Sequence, residues 1–362
     1  MSESATASAP AKTQPKAKKN RLSSGFFRFV LTRFLLIIPT VFILVTIVFF
    51  VMRATGDPIS AAMGGRLTPE ELQRRIHAAG YDRPLAVQYL DYLGGLLRGD
   101  LGTTLTDNQP VTTILTRYGA ATFELAFLSL IVALIVGIGL GRLAARRRDH
   151  AADAGIRVFA ILCYATPVFF LGLMLKLVFA VWLNVLPPSG RSSFASDMQF
   201  QRLVSPTGFY IIDAFQLGDM SVLVDVLRHA VLPALALGLL TAGVFIRLVR
   251  TNVISTYTSG YVEAARSRGV SEGRLLSKHA WRPPMIPIIT VMGMQIALML
   301  AGAVLTETTF EWKGLGFMLS QYLKQRDFVA VQGIVILIAI IVAVVNFIVD
   351  VISALIDPRV RY

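Results

Sequence analysis

Six long apolar stretches constrain the fold of this chain more than any other feature. Each holds roughly 20 mostly apolar residues, the length that an α-helix needs to cross a bilayer. They lie at about 34–52, 120–141, 158–183, 230–249, 285–305 and 330–355. Hydrophobic residues make up 54% of the sequence and charged residues only 16%, outside the usual range of soluble domains. The sequence predicts an all-α integral membrane protein with six transmembrane helices.

Basic residues are distributed unevenly between the two sides of these stretches. The segments on the side of the N-terminus, 1–33, 142–157, 247–282 and 356–362 together with Asp350, hold 21 Lys and Arg against 7 Asp and Glu. The opposite side holds 13 against 14. Because cytoplasmic loops carry the excess of Lys and Arg, this asymmetry predicts that both termini are cytosolic. It also accounts for the net charge of +13 without nucleic acid as a partner.

Three segments outside the apolar stretches have distinct compositions. Residues 1–25 are rich in Ser, Ala, Pro and Lys, which predicts a disordered cytosolic tail before a membrane domain at 26–362. Segment 53–118 is too long for a simple connector. Thr68 precedes acidic residues and helically spaced apolar ones there, so we expect a small helical extracytoplasmic subdomain. Segment 184–228 contains a Leu-Pro-Pro-Ser-Gly turn signal and allows no further prediction.

A cytosolic loop at 250–284 has the composition of two short helices joined by a turn. Good helix formers run from Tyr261 to Arg268, and Gly269 is placed to end that helix in the left-handed conformation. Ser271 stands at the N-cap position of a second helix. Pro283 and Pro284 then close the loop.

The chemistry of this loop allows two interpretations. Ala264 and Ala265 are small enough for close approach of another protein, Glu263 offers a carboxylate, and Arg266 and Arg268 lie beside them. The loop is then a docking knob. Alternatively it is an ordinary amphipathic surface helix, whose charges face water and whose alanines reflect helix propensity.

The sequence around this loop resembles a known family. "YVEAARSRGVSEGRLLSKHAWRPPMIPIIT" at 261–290 is similar to the "EAA" loop of permease subunits of binding-protein-dependent ABC importers, in the oligopeptide and dipeptide branch. Further similar motifs are "LLRGDLGTT" at 96–104, "ATFELAFLSL" at 121–130, "LPPSG" at 186–190, "RHAVLPALAL" at 228–237, "GAVLTETTFEWKGLG" at 302–316 and "DVISALIDPRVRY" at 350–362. The likeness covers about 22–362. Two departures are His279 to Arg282, where the wider family has Ile-x-Leu-Pro, and Lys313 in place of a proline.

The resemblance implies a type I ABC importer permease fold and an ATP-driven importer of peptides in the bacterial cytoplasmic membrane. It implies that the loop couples the permease to an ATPase through Glu263, Ala264, Ala265, Arg266, Arg268 and Gly269. The expected partners are a second homologous permease, unlike this one, two cytosolic ABC ATPase subunits and an extracytoplasmic substrate-binding protein, all in a lipid membrane. ATP and Mg²⁺ would bind the ATPase subunits, and we expect no cofactor and no enzyme activity in this chain.

Two other kinds of transporter stay open at this point. Nickel, glutathione and glycoside importers use permeases with the same motifs. A proton-driven secondary transporter would use an intramembrane carboxylate such as Glu124 or Asp350 and would not need the 250–284 loop. An intramembrane hydrolase is disfavoured, because no Ser/His/Asp set or carboxylate pair falls at one membrane depth.

Several residues within the apolar stretches are candidates for a substrate pathway. Glu124 and Lys176 are ionisable groups at membrane depth, where a charge costs at least about 2.5 kcal/mol near the bilayer centre. Pro167, with Pro233 and Pro287, predicts a bend that frees backbone carbonyls. Each also has a structural alternative: hydration at the interface, snorkelling, or a packing kink.

The sequence excludes some kinds of site. Cys163 is the sole cysteine, so the chain has no internal disulfide, and the isolated His229 and His279 lack metal-ligand spacing. We therefore predict no metal site. A P-loop for nucleotide phosphates does not occur, which places the expected source of energy on another chain.

Overall fold

The fold is a bundle of long helices joined by short ones. The computed structural model describes residues 24–65, 67–275, 280–281 and 283–356. Within them the helices are α1 Ser24–Ala54, α2 Pro58–Met63, α3 Pro69–Ala78, α4 Leu85–Leu97, α5 Val111–Arg146, α6 Ala151–Ala165, α7 Val168–Leu175, α8 Phe194–Phe200, α9 Tyr210–Leu217, α10 Met220–Tyr257, α11 Gly260–Ser267, α12 Glu272–Arg274, α13 Met285–Phe310, α14 Leu315–Lys324 and α15 Phe328–Ile356. A π-helix at Lys176–Trp182 continues α7. The only extended pairing among these residues is a bridge between Thr103 and Pro110.

The described helices account for the apolar stretches in two ways. Four of them, α1, α5, α10 and α15, are single helices long and apolar enough to cross a membrane. They contain the predicted stretches at 34–52, 120–141, 230–249 and 330–355. Two bent helix pairs bring the count to six only if each pair forms one span. The all-helical class is confirmed, whereas six spans remain a prediction.

The predicted stretch 158–183 is divided between two helices, with the break at Pro167 where a bend was predicted. Helix α6 and the segment Val168–Trp182 meet at an angle of 109°. The break falls at Pro167, which cannot donate a backbone hydrogen bond, and the preceding Thr166 has extended backbone angles. The second bent pair lies within α13, whose two halves meet at an angle of 49° between Leu300 and Gly302. The bend of this helix therefore does not lie at Pro287. Helix α10 runs through Pro233 without a break.

Helices α5 and α10 form the most extensive helix pair in the described structure. Glycines at the contact bring the two backbones close. A Cβ added at Gly137 would lie 2.5 Å from the Cβ of Phe245, and one at Gly238 would lie 2.7 Å from the carbonyl oxygen of Ser129. Neither position has space for a larger residue, which explains the small side chains in otherwise apolar helices. The pair forms the centre of the bundle.

Segment 53–118 contains three short helices, α2, α3 and α4. Thr68 caps α3 by accepting a hydrogen bond of 3.3 Å from the backbone N–H of Glu71, so the predicted helix start is confirmed. Helix α4 packs on the end of α1 through aromatic rings: the centroids of Phe49 and Tyr92 are 5.4 Å apart. We call α2, α3 and α4 the helical subdomain.

Segment 184–228 folds over the start of α10. The carboxylate of Asp225 in α10 accepts hydrogen bonds from the backbone N–H of Ser193, at 2.8 Å, and from the hydroxyl of Ser196, at 2.7 Å. Phe200 and Val226 are buried in the apolar cluster beneath this segment. The first and last residues of the chain, 1–23 and 357–362, lie outside the described residues, as does most of the predicted tail at 1–25.

Candidate functional site

The loop between α10 and α13 is a compact unit with a small apolar core of its own. Val262 and Leu275 are fully buried and Ala265 is 6% exposed, and all three pack together. Gly269 has a φ of +79°, and its N–H and that of Val270 bond to carbonyls of the last turn of α11. The helix stop that the sequence predicts at Gly269 is therefore confirmed. We call residues 260–275 the loop unit.

The second half of the loop unit differs from its prediction. Helix α12 is described only over Glu272–Arg274, and residues 276–279 and 282 lie outside the described residues. Ser271 occupies the N-cap position, but its side chain makes no capping hydrogen bond. The two prolines form the turn that leads into α13.

The two alanines of the loop unit face different ways. Ala264 is exposed, whereas Ala265 points into the core of the unit. The expectation that both allow close approach of a partner is therefore corrected for Ala265, since a small side chain is needed there for packing within the unit. The Nε of Arg268 donates to the carbonyl of Ala264 over 3.1 Å, so this arginine folds back along α11.

An ion pair closes the loop unit. The Nε of Arg266 lies 2.7 Å from the Oε1 of Glu272, and the hydroxyl of Tyr257 donates to the same carboxylate. The Arg266 and Tyr257 hydrogen bonds hold the pKa of Glu272 below its usual range. The Arg266 guanidinium also lies over the Tyr257 ring, 4.9 Å from its centroid. Both contacts of Arg266 therefore stabilise the turn between α11 and α12.

Glu263 is the carboxylate of the loop unit that stays free. It lies exposed in the first turn of α11, and its side chain has no hydrogen bond or ion pair with any residue that the structure describes. Arg268 is exposed on the same short helix. The loop unit therefore presents the Glu263 carboxylate and the exposed Arg268 and Arg274 at its surface, and its own core and ion pair hold it in shape.

Glu124, a candidate for the substrate pathway, is buried in an ion pair instead. Its Oε2 lies 2.5 Å from Nη2 of Arg191, and the side chains are 4% and 7% exposed. The backbone N–H of Ile211 donates to its Oε1 over 2.8 Å. Both carboxylate oxygens are occupied, so the geometry favours a structural tie between α5 and segment 184–228 over contact with a substrate.

Two aromatic rings enclose the Arg191 guanidinium. Its central carbon lies 3.7 Å from the ring centroid of Tyr210 and 5.5 Å from that of Trp312. Its Nη2 also donates to the carbonyl of Gly208 over 2.9 Å. Trp312 is fully buried and donates from Nε1 to the carbonyl of Ala121 over 2.9 Å. The ion pair is therefore part of a larger packed contact between α5, α9 and the segment after α13.

Glu307 is a second fully buried carboxylate in this region. The hydroxyl of Thr122 donates to its Oε1 over 2.7 Å, and the N–H of Phe317 donates to its Oε2 over 2.9 Å. Gly314 passes so close that an added Cβ would clash with Oε1. Glu307 thereby fixes the turn between α13 and α14, which contains Lys313.

Asp327 forms a third buried anchor, before the start of α15. Its Oδ2 accepts hydrogen bonds from the backbone N–H groups of Leu105 and Thr106, at 2.6 and 2.9 Å, and from the Thr106 hydroxyl. Its Oδ1 accepts from the N–H of Ala330. We call the three buried carboxylates and the groups that contact them the carboxylate layer; the carboxylates are those of Glu124, Glu307 and Asp327.

Lys176 and Pro167 also have structural surroundings. The Nζ of Lys176 donates to the carbonyl of Thr309 over 2.9 Å and lies 5.6 Å from the ring centroid of Phe310. It therefore satisfies a carbonyl at the C-terminal end of α13, where a cation is favourable. Pro167 stands at the 109° bend, and the next residue, Val168, packs in one apolar cluster with Leu125 and Trp312. Lys176 and Glu124 have different polar partners, and no hydrogen bond or ion pair joins them in the described structure.

Several residues of these sites were missed by the sequence analysis. Glu307, Asp327 and Arg191 were not singled out, and neither was Asp153, whose carboxylate is fully buried and receives two hydrogen bonds from Arg250, at 2.6 and 2.7 Å. A usable signal was present for Glu307 and Asp327, since each stands at the edge of an apolar run, where an unpaired charge is costly. Arg191 had no such signal because its partner is 67 residues away.

Metal and proton sites find no support in the geometry. No group of three His, Cys, Asp or Glu side chains among the residues described here could hold a metal ion. Asp350, a candidate proton carrier, lies 3.4 Å from the Nε of Arg33 in a half-exposed pair between α15 and α1. Glu124 is also paired, so each of the two carboxylates has an arginine partner in the described structure.

Comparison with known families supports a transport role. Residues 137–362 match the family described as "Binding-protein-dependent transport system inner membrane component", and residues 26–125 match the N-terminal membrane component of the same systems. The first match alone covers more than half of the chain. It places the protein in the bacterial cytoplasmic membrane as a multi-pass transporter component.

Individual relatives resemble the chain almost from end to end. The di/tripeptide transport system permease protein DppB of Pseudomonas aeruginosa is 36% identical over 92% of this chain and 98% of its own length. The dipeptide transport system permease protein DppB of Escherichia coli K12 is 37% identical over 92% and 99%.

A solved structure supports the fold. The inward-facing MetNI methionine ABC transporter contains a chain that matches with a TM-score of 0.50 and 14% identity, over 68% of this chain and 97% of its own. At that identity the likeness shows the permease fold and nothing more about function. On the family match and the extended similarity to its members, the chain belongs to the inner membrane components of binding-protein-dependent transport systems.

Proposed function

We propose that this chain is one permease subunit of an ATP-driven ABC importer that carries short peptides across the cytoplasmic membrane. The observation that carries the proposal is the 36–37% identity to dipeptide and di/tripeptide permeases over 92% of the chain. The fold agrees with this function, since four of the described helices are long and apolar enough to cross a membrane. Similar permeases differ in substrate, so peptides are inferred from the named relatives.

The distribution of charge supports an orientation with both termini in the cytosol. The loop unit then lies in the cytosol and the helical subdomain outside.

Cysteine labelling tests this orientation. Cys163 is the sole cysteine of the chain, so a Cys163→Ser background leaves no native thiol. Arg268, on the loop unit, and Arg74, on α3, are exposed, and each is replaced by cysteine in turn. A membrane-impermeant maleimide should label Arg74→Cys in intact cells and Arg268→Cys only after lysis; labelling of both in intact cells would contradict the orientation.

The loop unit supports a role as the contact with an ATPase subunit. Its free Glu263 and exposed Arg268 offer charge-assisted hydrogen bonds, while its core and the Arg266–Glu272 pair keep the helix rigid. A push on a rigid unit moves α10 and α13, between which it lies. The complete importer would add a second, unlike permease, two ATPase subunits that bind ATP and Mg²⁺, and an extracytoplasmic binding protein.

Charge reversal at Glu263 tests this role. In the reconstituted importer, Glu263→Lys should abolish most ATP-dependent dipeptide uptake and weaken binding of the ATPase subunits. The matched control is Glu70→Lys, since Glu70 also lies exposed in the first turn of a short helix, α3. Control uptake should stay near wild type. Normal uptake by Glu263→Lys would exclude the proposed contact.

A competition experiment tests the substrate. Uptake of a labelled dipeptide into proteoliposomes that hold the full importer and ATP should be inhibited by unlabelled di- and tripeptides. Inhibition by Ni²⁺, glutathione or a glycoside instead would replace the peptide assignment while leaving the permease fold unaffected. Uptake in the absence of the ATPase subunits would contradict an ATP-driven mechanism.

A further inference from the structure

A polar cavity lies where the helical subdomain meets the ends of two long helices. It has a volume of about 320 Å³ and is bounded by α4, the last turn of α1 and the first turns of α15. This volume is within the range of small-molecule sites, roughly 300 to 1,000 Å³. The cavity is separate from the loop unit and from the Glu124–Arg191 pair, and neither the family match nor the proposed function assigns it a role.

Four buried polar atoms line this cavity without a hydrogen bond of normal geometry in the described structure, although Tyr92 and Gln332 lie close enough to each other to interact. They are Nε of Arg53, Oε1 of Gln88, the hydroxyl of Tyr92 and Nε2 of Gln332. Gln88 and Gln332 are 9% and 7% exposed. Buried polar atoms are nearly always paired, and each one left unpaired costs roughly 1–3 kcal/mol. Four such atoms around one cavity indicate that it normally holds something that binds them.

The cation in the cavity has no acidic partner. Arg53 lies over the faces of two rings, 4.4 Å from the centroid of Tyr81 and 5.2 Å from that of Phe49. No carboxylate of the described residues lies within ion-pair distance of it. Aromatic faces hold a guanidinium in place but do not neutralise it, so the remaining site favours an anion.

The carboxylates that border the cavity are engaged elsewhere. Asp91 forms an ion pair with Arg83 at 3.3 Å, and Asp100 accepts a hydrogen bond from the N–H of Gly102 at 2.9 Å. Neither supplies the missing partner of Arg53. The protein therefore leaves its positive group open to a ligand from outside the chain.

The remaining groups define the geometry of that ligand. Gln88 donates from Nε2 to the carbonyls of Tyr81 and Arg83, at 2.9 and 2.8 Å, which fixes its Oε1 as the acceptor that faces the cavity. Tyr92 is a donor, since burial raises its pKa to about 12 and keeps the hydroxyl protonated. The cavity thus offers donors from Arg53, Tyr92 and Gln332, and one acceptor.

We propose that this cavity binds a small carboxylate ligand that carries an N–H donor next to the carboxyl group. The carboxylate accepts hydrogen bonds from Arg53, Tyr92 and Gln332, and the N–H donates to Oε1 of Gln88. A free N-acylated amino acid has this chemistry, and so has the carboxyl end of a short peptide. A bound ligand would tie the helical subdomain to α1 and α15.

Calorimetric titration of the full chain in detergent tests the proposal with defined probes. N-acetylglycine should bind saturably. Acetate lacks the N–H and should bind roughly 2- to 10-fold more weakly, the value of one hydrogen bond. N-methylacetamide, which lacks the charge, should not bind measurably. Trialanine distinguishes the two sources: binding as tight as that of N-acetylglycine indicates a peptide end, and none indicates a free small ligand. Absence of saturable binding by every carboxylate would show that the cavity holds only water.

Variants separate ligand contact from folding. Tyr92→Phe removes a hydroxyl whose hydrogen-bonding neighbour in the described structure is Gln332, so it should change the melting temperature without ligand only slightly and weaken N-acetylglycine binding roughly 2- to 10-fold. Arg53→Gln should remove binding. Arg74→Gln, an exposed arginine of α3, is the control and should bind as wild type. Unchanged binding by both Tyr92→Phe and Arg53→Gln would overturn the proposal.

Discussion

The carboxylate layer and the loop unit use acidic residues in opposite ways. Glu124, Glu307 and Asp327 are buried, and each receives at least two hydrogen bonds from the protein. Glu263 is exposed and its side chain has no partner among the described residues, and Glu272 forms an exposed ion pair. A buried carboxylate must be satisfied inside the chain, whereas an exposed one is hydrated. The carboxylate layer therefore fixes the architecture, whereas the loop unit keeps its carboxylates at the surface.

The largest expected effect comes from breaking the ion pair of the carboxylate layer. Arg191→Met leaves Glu124 buried without a cation, which should reduce the free energy of unfolding by about 3–5 kcal/mol. Thermal unfolding of the detergent-solubilised chain measures it. The double variant Glu124→Gln with Arg191→Met should recover most of the loss, because it removes the uncompensated charge. A loss below about 1 kcal/mol in the single variant would show that the pair is not a structural anchor.

A smaller loss is expected at Asp327. Asp327→Asn converts a charged acceptor of backbone N–H groups into a neutral one that accepts with one oxygen, at a cost of about 1–3 kcal/mol. The control is Asp91→Asn, since that carboxylate is 63% exposed and such surface changes usually stay within about 0.5 kcal/mol. Equal effects of the two substitutions would remove the distinction between buried and exposed carboxylates.

At Gly269 the expected effect is local to the loop unit. An alanine there must adopt φ of +79°, which costs about 1–2 kcal/mol, although no atom would obstruct its Cβ. Gly273→Ala is the matched control, because its surroundings are equally open and its φ is ordinary. Hydrogen exchange of the amides at 260–275 should accelerate in Gly269→Ala and stay unchanged or slow in the control. Acceleration in both would contradict backbone strain at Gly269 as the cause.

The smallest effect is a dependence of the loop unit on pH. Because the Arg266 hydrogen bond lowers the pKa of Glu272 from its ordinary 4.5, the pair stabilises the folded unit fully above about pH 4.5. That contribution is lost as the pH falls through the lowered pKa. Amide exchange at 260–275, corrected for its intrinsic pH dependence, should rise in this acid range. Glu272→Gln should lack this rise; a rise of the same size in it would assign the effect to another group.

Much of the fold could be predicted because long apolar runs and helix signals are local. Four of the six stretches form single helices, and Thr68 and Gly269 mark helix ends as expected. The sharp turn at Pro167 was expected as a bend, but its 109° could not be, since the angle depends on what the two halves pack against. The family was identified from the resemblance of the motifs, because helix signals and charge distribution alone do not identify a family.

The sites were less predictable because their contacts join residues that are far apart in the sequence. Glu124 was recognised as an unusual residue, but its role depends on Arg191, which is 67 residues away and comes close only through packing. Ala265 appeared equivalent to Ala264 in the sequence, and only the position of Leu275 shows that one faces inward. Pairing across long separations decides whether a charged group is structural or available.

Helix α10 joins the two regions that differ so clearly. Its 38 residues span about 57 Å at 1.5 Å per residue, from the segment held by Asp225 to Tyr257, three residues before α11. The glycines that bring α5 against it make the contact close-packed along its length. The two helices can therefore move together as one rigid body. A displacement of the loop unit at one end would then tilt this body and move its other end at the same time.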